Sequence, residues 1–314
     1  MAIALPEVWL RLAINTRGKH LSNGDFKDLV ILAGLLARPI RVEEAAEALA
    51  VSPQEVLEQA RTAEQQGMLT PEGAGYVSVG EAPDVDPPYL AYLAGRLAET
   101  LAARGGHGEA GRLFHRAGRQ PEAVGSLVAA ALSDDDEDAA NLALDLDPDL
   151  VSIDRQDAGR VHLMLARHAR NHGLSDIAND RAADAVRRLE GPELIDALGF
   201  AAAIASDLQE SQRAETLTAL GAGVATTLGR LDKAGSMLTL QGRELARLGF
   251  AEEADAAVAN GIATLDAHGD RGQRFRGRMN TGWIAFDRGI LHEAEVTFDS
   301  LADQAADLHE PVTQ

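Results

Sequence analysis

The sequence predicts a mainly all-α protein: an N-terminal winged helix-turn-helix with a small β hairpin, followed by an α-solenoid of helical hairpins. Three observations predict this fold. The 314 residues are 46% hydrophobic but only 4% aromatic, so Ala and Leu must fill most of the core, which suits closely packed helices. One short β-prone hairpin follows three early helices, and turns recur at regular intervals in the remainder.

The winged helix-turn-helix is predicted over residues 26–80. "FKDLVILAGLLA" is typical of a helix, and two further helices are separated by "AVSPQ", where Ser52 is a helix N-cap, Pro53 the first helical residue and Glu55 the partner in a capping box. "MLTPEGAGYVSV" predicts two strands around a turn. We therefore expect a domain over residues 1–80, with a helical lead-in at its N-terminus.

The charges of this region argue against contact with nucleic acid. The helix from Ser52 to Gln66 carries three acidic residues and one basic residue (Arg61), a net charge of −2. A helix that reads bases needs basic or amide side chains flanked by Lys or Arg that face phosphates. The whole chain has a formal charge of −20. We therefore predict no direct nucleic-acid binding by this segment.

Helical hairpins are predicted over residues 81–314, after the proline-rich boundary "GEAPDVDPPY". Predicted turns fall near residues 105, 133, 173, 209, 249 and 289, at intervals of 28, 40, 36, 40 and 40 residues. Such periods with two helices each indicate an α-solenoid. Because one hairpin cannot bury its own apolar face, successive copies are expected to stack.

The second helix of each hairpin carries the predicted packing positions. A small residue near its start lets its backbone approach the first helix, and the residues four and seven positions later lie on the same face. The predicted repeat-packing residues are Ala110, Phe114 and Ala117 in one copy, Ala254 and Val258 in another, and Ala294, Phe298 and Leu301 in a third. This pattern resembles tetratricopeptide repeats, although its periods exceed 34 residues.

One basic cluster interrupts the acidic sequence. In "RGQRFRGR", Arg271, Arg274, Arg276 and Arg278 surround Phe275. Arginines beside an aromatic ring suit nucleic acid or an acidic partner. In so acidic a chain, we favour pairing with neighbouring helices or with a protein partner, and these five residues are the candidate partner-binding site.

Other patterns do not predict chemistry. His162, His168 and His172 lack the further ligands of a zinc site, and the acidic run at 134–138 lacks the glycine and distant glutamate of a calcium loop, so it is expected to cap a helix. "GGHGEAG" at 105–111 lacks the Gly-Lys-Ser/Thr of a phosphate loop. The chain has no cysteine. We predict no catalytic residue, no metal and no cofactor, and hence not an enzyme.

The apolar runs are too short for a membrane span. The longest uncharged apolar runs, such as "LVILAGLLA" at 29–37, have nine residues, against about 20 that a membrane-spanning helix needs. We therefore expect a soluble, cytoplasmic protein without a membrane partner.

Several segments follow one another in a telling order: "LPEVWLRLAI", "QQGMLTPEGAGYVSV", "YLAGRLAETLAARGG", "AGRLFHRAGRQPEAVGSLVAAAL" and then the long repeats. This order resembles the middle of LuxR-family ATPase regulators of the STAND class. In that family a nucleotide-hydrolysing module precedes a winged helix and a tetratricopeptide-like sensor array, and a DNA-binding helix-turn-helix follows.

The resemblance implies a sensor region that binds a protein or small-molecule inducer on the solenoid. The winged helix would relay binding to ATPase and DNA-binding domains absent from this chain. The sequence stops where another hairpin would begin, so the array is expected to be truncated. The alternative is a stand-alone scaffold protein that binds peptides or protein partners; oligomerisation stays open for both.

Overall fold

The computed structural model describes residues 26–79, 83 and 85–306, with the side chains of 303–306 excepted. The predicted helical lead-in before residue 26 and the last residues of the array lie outside this part. The described part contains fifteen helices and three short strands, so the prediction of a mainly helical protein is confirmed. The chain forms two compact units, which divide between Ser152 and Ile153. The sequence placed a domain boundary earlier, after residue 80.

Six short elements open the first unit. They are α1 (Lys27–Leu35), β1 (Ile40–Arg41), α2 (Val42–Leu49), α3 (Pro53–Gln65), β2 (Leu69–Glu72) and β3 (Gly75–Ser78). The predicted hairpin is present as β2 and β3, which pair antiparallel, and β1 pairs with the other edge of β3. Gly75 permits this pairing, because a Cβ atom there would lie 2.3 Å from the carbonyl oxygen of Ile40.

The predicted capping box at the start of α3 is confirmed. The Glu55 backbone N–H donates to Ser52 Oγ at 3.2 Å, and the Ser52 backbone N–H donates to the Glu55 carboxylate at 2.7 Å. Two backbone donors that the helix leaves unpaired are thereby satisfied. This local chemistry fixes where α3 begins.

Two helical hairpins complete the first unit. Their helices are α4 (Pro87–Ala103), α5 (His107–Arg116), α6 (Gln120–Asp134) and α7 (Glu137–Leu146). The turn predicted near residue 133 lies slightly later, because α6 continues to Asp134 and Asp135 then adopts the left-handed conformation with φ of 55°. The Asp136 carboxylate accepts a hydrogen bond from the Ala139 N–H at 3.0 Å, so the acidic run caps α7 as expected.

One hydrophobic core joins the two parts of the first unit. It includes Leu29 and Val56 from the first three helices together with Leu97 and Leu113 from the hairpins. An ion-pair network crosses the same boundary. Arg38 contacts Glu44 of α2 at 3.0 Å and Glu109 of α5 at 2.8 Å. Residues 26–79 therefore share their packing with the first hairpin.

Glu44 is a buried carboxylate, with its side chain only 5% exposed. Burial raises its pKa, but hydrogen bonds from the Arg38 guanidinium and the Arg41 backbone N–H outweigh burial and hold the pKa of Glu44 below its ordinary value. A depressed carboxyl pKa stabilises the folded state above the unfolded pKa. This stabilisation is lost as the pH falls through the folded value.

Replacing Arg38 should therefore destabilise the first unit at neutral pH. Arg38→Met leaves Glu44 charged and buried, and we expect a loss of about 2 kcal/mol in the free energy of unfolding, less than for a fully buried pair because Arg38 is partly exposed. Urea unfolding at pH 7 measures the loss, which should shrink at acid pH. Arg104→Met, which removes an exposed pair with Glu47, is the control and should cost less than about 1 kcal/mol. Equal losses for the two variants would contradict this interpretation.

Eight helices form the described part of the second unit. They are α8 (Arg155–Asn171), α9 (Ser175–Arg188), α10 (Gly191–Asp207), α11 (Ser211–Thr227), α12 (Leu231–Arg247), α13 (Ala251–His268), α14 (Arg271–Asp287) and α15 (Leu291–Ala306). Consecutive helices pair as hairpins, beginning with α8 and α9. The first helices of neighbouring hairpins also pack together, α10 with α12 and α12 with α14. The turns predicted near 173, 209, 249 and 289 are confirmed at the four hairpin bends.

The predicted packing residues occupy the following places. Ala110, Phe114, Ala254, Val258, Ala294 and Leu301 are buried, and Phe298 is partly buried. Phe298 lies against Trp283 of the preceding helix, with 5.1 Å between ring centroids. Ala117 follows the end of α5 and is partly buried in the turn. The small residues thus lie where the two helices of a hairpin approach each other.

Candidate ligand site in the second unit

Charged side chains of alternating sign lie near the C-terminal ends of the four first helices. They are Arg170 on α8, Asp207 on α10, Arg247 on α12 and Asp287 on α14. Arg170 contacts Asp207 at 2.6 Å, and Arg247 contacts Asp287 at 3.0 Å. These ion pairs join α8 to α10 and α12 to α14. The ends of α10 and α12 meet through a hydrogen bond between Arg247 and Ser206, and a pocket opens beside this contact.

We call this cavity the arginine pocket. It has a volume of about 450 Å³ and is lined by Ser206, Asp207, Gln209, Ser211, Arg243 and Arg247. An adjoining, more open volume of about 750 Å³ shares three of these residues, Gln209, Ser211 and Arg247. Small-molecule sites commonly measure about 300–1,000 Å³. The arginine pocket is therefore large enough for a small ligand.

Arg247 is held in place by hydrogen bonds. Its Nη1 donates to Ser206 Oγ at 2.8 Å and to Glu244 Oε1 at 3.1 Å, and the Ser206 hydroxyl donates to the same Glu244 oxygen at 2.7 Å. The Glu244 side chain is buried. Together with Asp287, these contacts fix one wall of the pocket.

Arg243 has no comparable partners. Within the described part of the chain its guanidinium makes no hydrogen bond, and its Nε is buried without an acceptor. Asp287 lies 3.8 Å from Nε, beyond hydrogen-bond distance, and the Trp283 ring lies 5.3 Å from the guanidinium carbon. Burial, followed by repulsion from Arg247, lowers the pKa of Arg243. Arginine nevertheless stays charged in proteins. The pocket thus contains a cation whose donors are unused.

Gln209 occupies a backbone position that favours glycine. Its φ is 62°, and the corresponding residues of the other three hairpin bends are Gly173, Gly249 and Gly289. A residue with a Cβ atom in this conformation costs about 1 kcal/mol or more. Its exposed side chain lines the arginine pocket. The most strained of these four bends is therefore the one at the pocket.

The basic cluster predicted from the sequence lies elsewhere, in the first turns of α14. Arg274 donates to the Gly269 carbonyl at 3.0 Å, and Arg278 contacts Asp266 at 3.1 Å. Phe275 is partly buried, and Arg271 and Arg276 are exposed. Two of its arginines thus bind the end of the preceding helix α13, and none of the cluster lines the arginine pocket.

Arg243, Arg247 and Gln209 were not predicted from the sequence as site residues. One signal was available, because Gln209 replaces the glycine found at the predicted turns near 105, 173, 249 and 289. A second was the pair of arginines four residues apart in "GRELARLG", which places like charges on one helix face. Neither pattern identifies a pocket until the hairpins are packed together.

The three histidines do not form a shared site. His162 is buried in α8, His168 is partly buried, and His172 is exposed. No group of three or more potential metal-binding side chains occurs among the residues that the structure describes. Neither ring nitrogen of His162 makes a hydrogen bond to the described residues, and Asp184 lies 3.9 Å from Nδ1. Burial lowers the pKa of His162 below its ordinary 6.5; Asp184 opposes this effect, and Arg188, Arg181 and Arg187 reinforce it.

This buried neutral histidine predicts acid sensitivity. Because the folded pKa of His162 is depressed, unfolding takes up a proton as the pH falls below about 6.5, and stability is lost towards acid pH. We expect His162→Leu to reduce the pH dependence of the unfolding free energy between pH 7 and 5 by up to about 1 kcal/mol per pH unit. Urea unfolding at several pH values measures this, with His172→Leu as the matched control. An unchanged pH dependence in His162→Leu would show that the histidine is not responsible.

No helix of the described residues combines the length and apolar character that crossing a membrane requires.

Comparisons with known proteins give only distant likenesses. No protein-family model and no curated protein matches the sequence. Among solved structures, BtubC (BKLC) from P. vanneervenii is 16% identical, with a TM-score of 0.47, and the match covers 74% of this chain and 96% of that one. A Rap protein complexed with Competence and Sporulation Factor is 13% identical (TM-score 0.43; 96% and 71% covered).

A STAND protein with a tetratricopeptide repeat sensor from Pyrococcus horikoshii is also similar. It is 13% identical, with a TM-score of 0.41, and the match covers 96% of this chain and 53% of that one. With TM-scores below 0.5, these likenesses support no conclusion about function. Function has to be inferred from the side chains of this chain.

Proposed function

We propose that this chain is the sensor region of a cytoplasmic, LuxR-family STAND-class transcriptional regulator, and that its second unit binds a protein or small-molecule inducer. The observation that carries the proposal is the arginine pocket, a polar cavity of about 450 Å³ in the hairpin array. It contains a charged Arg243 that makes no hydrogen bond within the described part of the chain and whose Nε is buried. Such a group is costly in a site that is only structural, whereas a binding site gives it a use.

In this proposal, residues 26–79 are a winged helix. Their order of helices and strands and the sheet order β1-β3-β2 support this assignment. The helix corresponding to a recognition helix, α3, has a net charge of −2, so we assign it contacts with other protein domains and not with DNA. Arg38 ties this winged helix to α5, so the two should move as one body.

The remaining activities belong to domains outside this chain. A chain with a net charge of −20 is poorly suited to binding DNA. We propose that ATP hydrolysis and promoter binding are carried out by other domains. Inducer binding must favour one arrangement of the regulator over another, since equal affinity for both would shift nothing. The chain itself acts as a binding module and not as an enzyme.

The proposal is tested with the full-length protein in its own host, by depleting it and by mapping where it binds the chromosome. We expect rapid depletion to change the abundance of a small set of transcripts several-fold, and chromatin immunoprecipitation to find the protein at the promoters of those genes. A strain that carries only the affinity tag is the control. A stand-alone scaffold protein would give no promoter enrichment, and that result would contradict the proposal.

A further inference from the structure

We propose that the arginine pocket recognises an oxyanion group, a carboxylate or a phosphate, on a small ligand, through Arg243, Arg247 and Gln209. This inference rests on the proposed function, because it names the chemical class of the inducer.

The first support is the set of unused donors on Arg243. A guanidinium has five N–H donors in a planar fork that matches two oxygens of a carboxylate or phosphate. In Arg243 none of these donors meets an acceptor in the described part of the chain, and Nε is buried. Trp283 packs near the guanidinium and limits its freedom. A ligand would therefore meet donors that are already positioned.

The second support is the distribution of charge around the pocket. Arg243 and Arg247 lie four residues apart on α12, where like charges repel. Asp287 and Glu244 are bound to Arg247, and Asp207 is bound to Arg170 by two hydrogen bonds. All three nearby carboxylates are thus already paired with other arginines, and a bound oxyanion would supply the acceptors that Arg243 lacks within the described part of the chain.

The third support is Gln209. Its backbone has the left-handed conformation that glycine adopts at the other three hairpin bends, so Gln209 lowers the stability of the fold at this bend. The side-chain amide at the pocket can donate a hydrogen bond to an oxyanion. A strained residue that lines a cavity is more readily explained by binding than by folding.

The experiment uses Trp283 as a local reporter. The chain has two tryptophans, so Trp9→Phe leaves Trp283 alone beside Arg243. This variant is titrated with succinate and with inorganic phosphate, and its fluorescence is followed at constant ionic strength. Isothermal titration of the unmodified chain gives an independent measure of binding. Succinamide, which is neutral, is the control ligand. We expect one or both oxyanions to bind saturably and succinamide not to bind.

Three variants separate binding from folding. Arg243→Met should weaken oxyanion binding at least tenfold without lowering the thermal midpoint of unfolding, because Arg243 makes no hydrogen bond to the residues that the structure describes. Gln209→Gly should raise the midpoint and yet weaken binding several-fold. Arg288→Met is the matched control: Arg288 is exposed to the same extent as Arg243, 23%, but is bound to Asp255 and lies outside the pocket. It should lower the midpoint and leave binding unchanged.

The results distinguish this inference from the proposed function. Absence of oxyanion binding, binding of succinamide with equal strength, or binding that Arg243→Met does not weaken would each overturn the site. Whichever of succinate and phosphate binds more tightly shows whether the ligand group is a carboxylate or a phosphate. Promoter enrichment in the host without oxyanion binding would support the proposed regulator function and reject only the oxyanion site. Oxyanion binding without promoter enrichment would preserve the site and reject the regulator.

Discussion

The packing of the second unit depends on residues that are too small to keep two helix backbones apart. On α12, a Cβ atom at Gly242 would lie 2.4 Å from Val258 Cγ2 and 2.9 Å from the Ala254 carbonyl oxygen of α13. Gly235 and Gly261 face each other at the same interface, where an added Cβ would lie within about 3 Å of the opposite backbone. With aromatics at 4%, this chain buries its surface by close approach of backbones and not by large rings.

This close packing also accounts for the candidate site. The hairpin bends bring the ends of the first helices into line, so the charged residues at those ends become neighbours. Arg170 pairs with Asp207, and Arg247 pairs with Asp287, although each pair is separated by 37 or 40 residues in the chain. The pocket lies between these two pairs, and Arg243 has no hydrogen-bond acceptor there among the described residues. A binding surface thus results from the repeat period combined with a few charged residues at the ends of the first helices.

Features encoded by neighbouring residues could be predicted from the sequence. The capping box of Ser52, the β2–β3 hairpin and the bends near 173, 209, 249 and 289 depend on local backbone chemistry, and the structure contains them. The core that joins α1–α3 to α4 and α5 could not be predicted, because contacts such as Arg38 with Glu109 link residues 71 positions apart. The arginine pocket was missed for the same reason: Gln209 and Arg243 belong to different hairpins. The basic cluster around Phe275 was conspicuous in sequence, yet two of its arginines bind the helix just before it.

A pair of glycine substitutions tests most directly whether close helix approach holds the array together. Gly223 on α11 has open space where a Cβ atom would lie, whereas Gly242 does not. Helix propensity alone would make Ala at either position more stable by up to about 1 kcal/mol. We expect urea unfolding to show that Gly223→Ala is stabilising and Gly242→Ala destabilising by about 1–3 kcal/mol, since the two helices would be forced apart. Stabilisation of similar size by both substitutions would contradict the account.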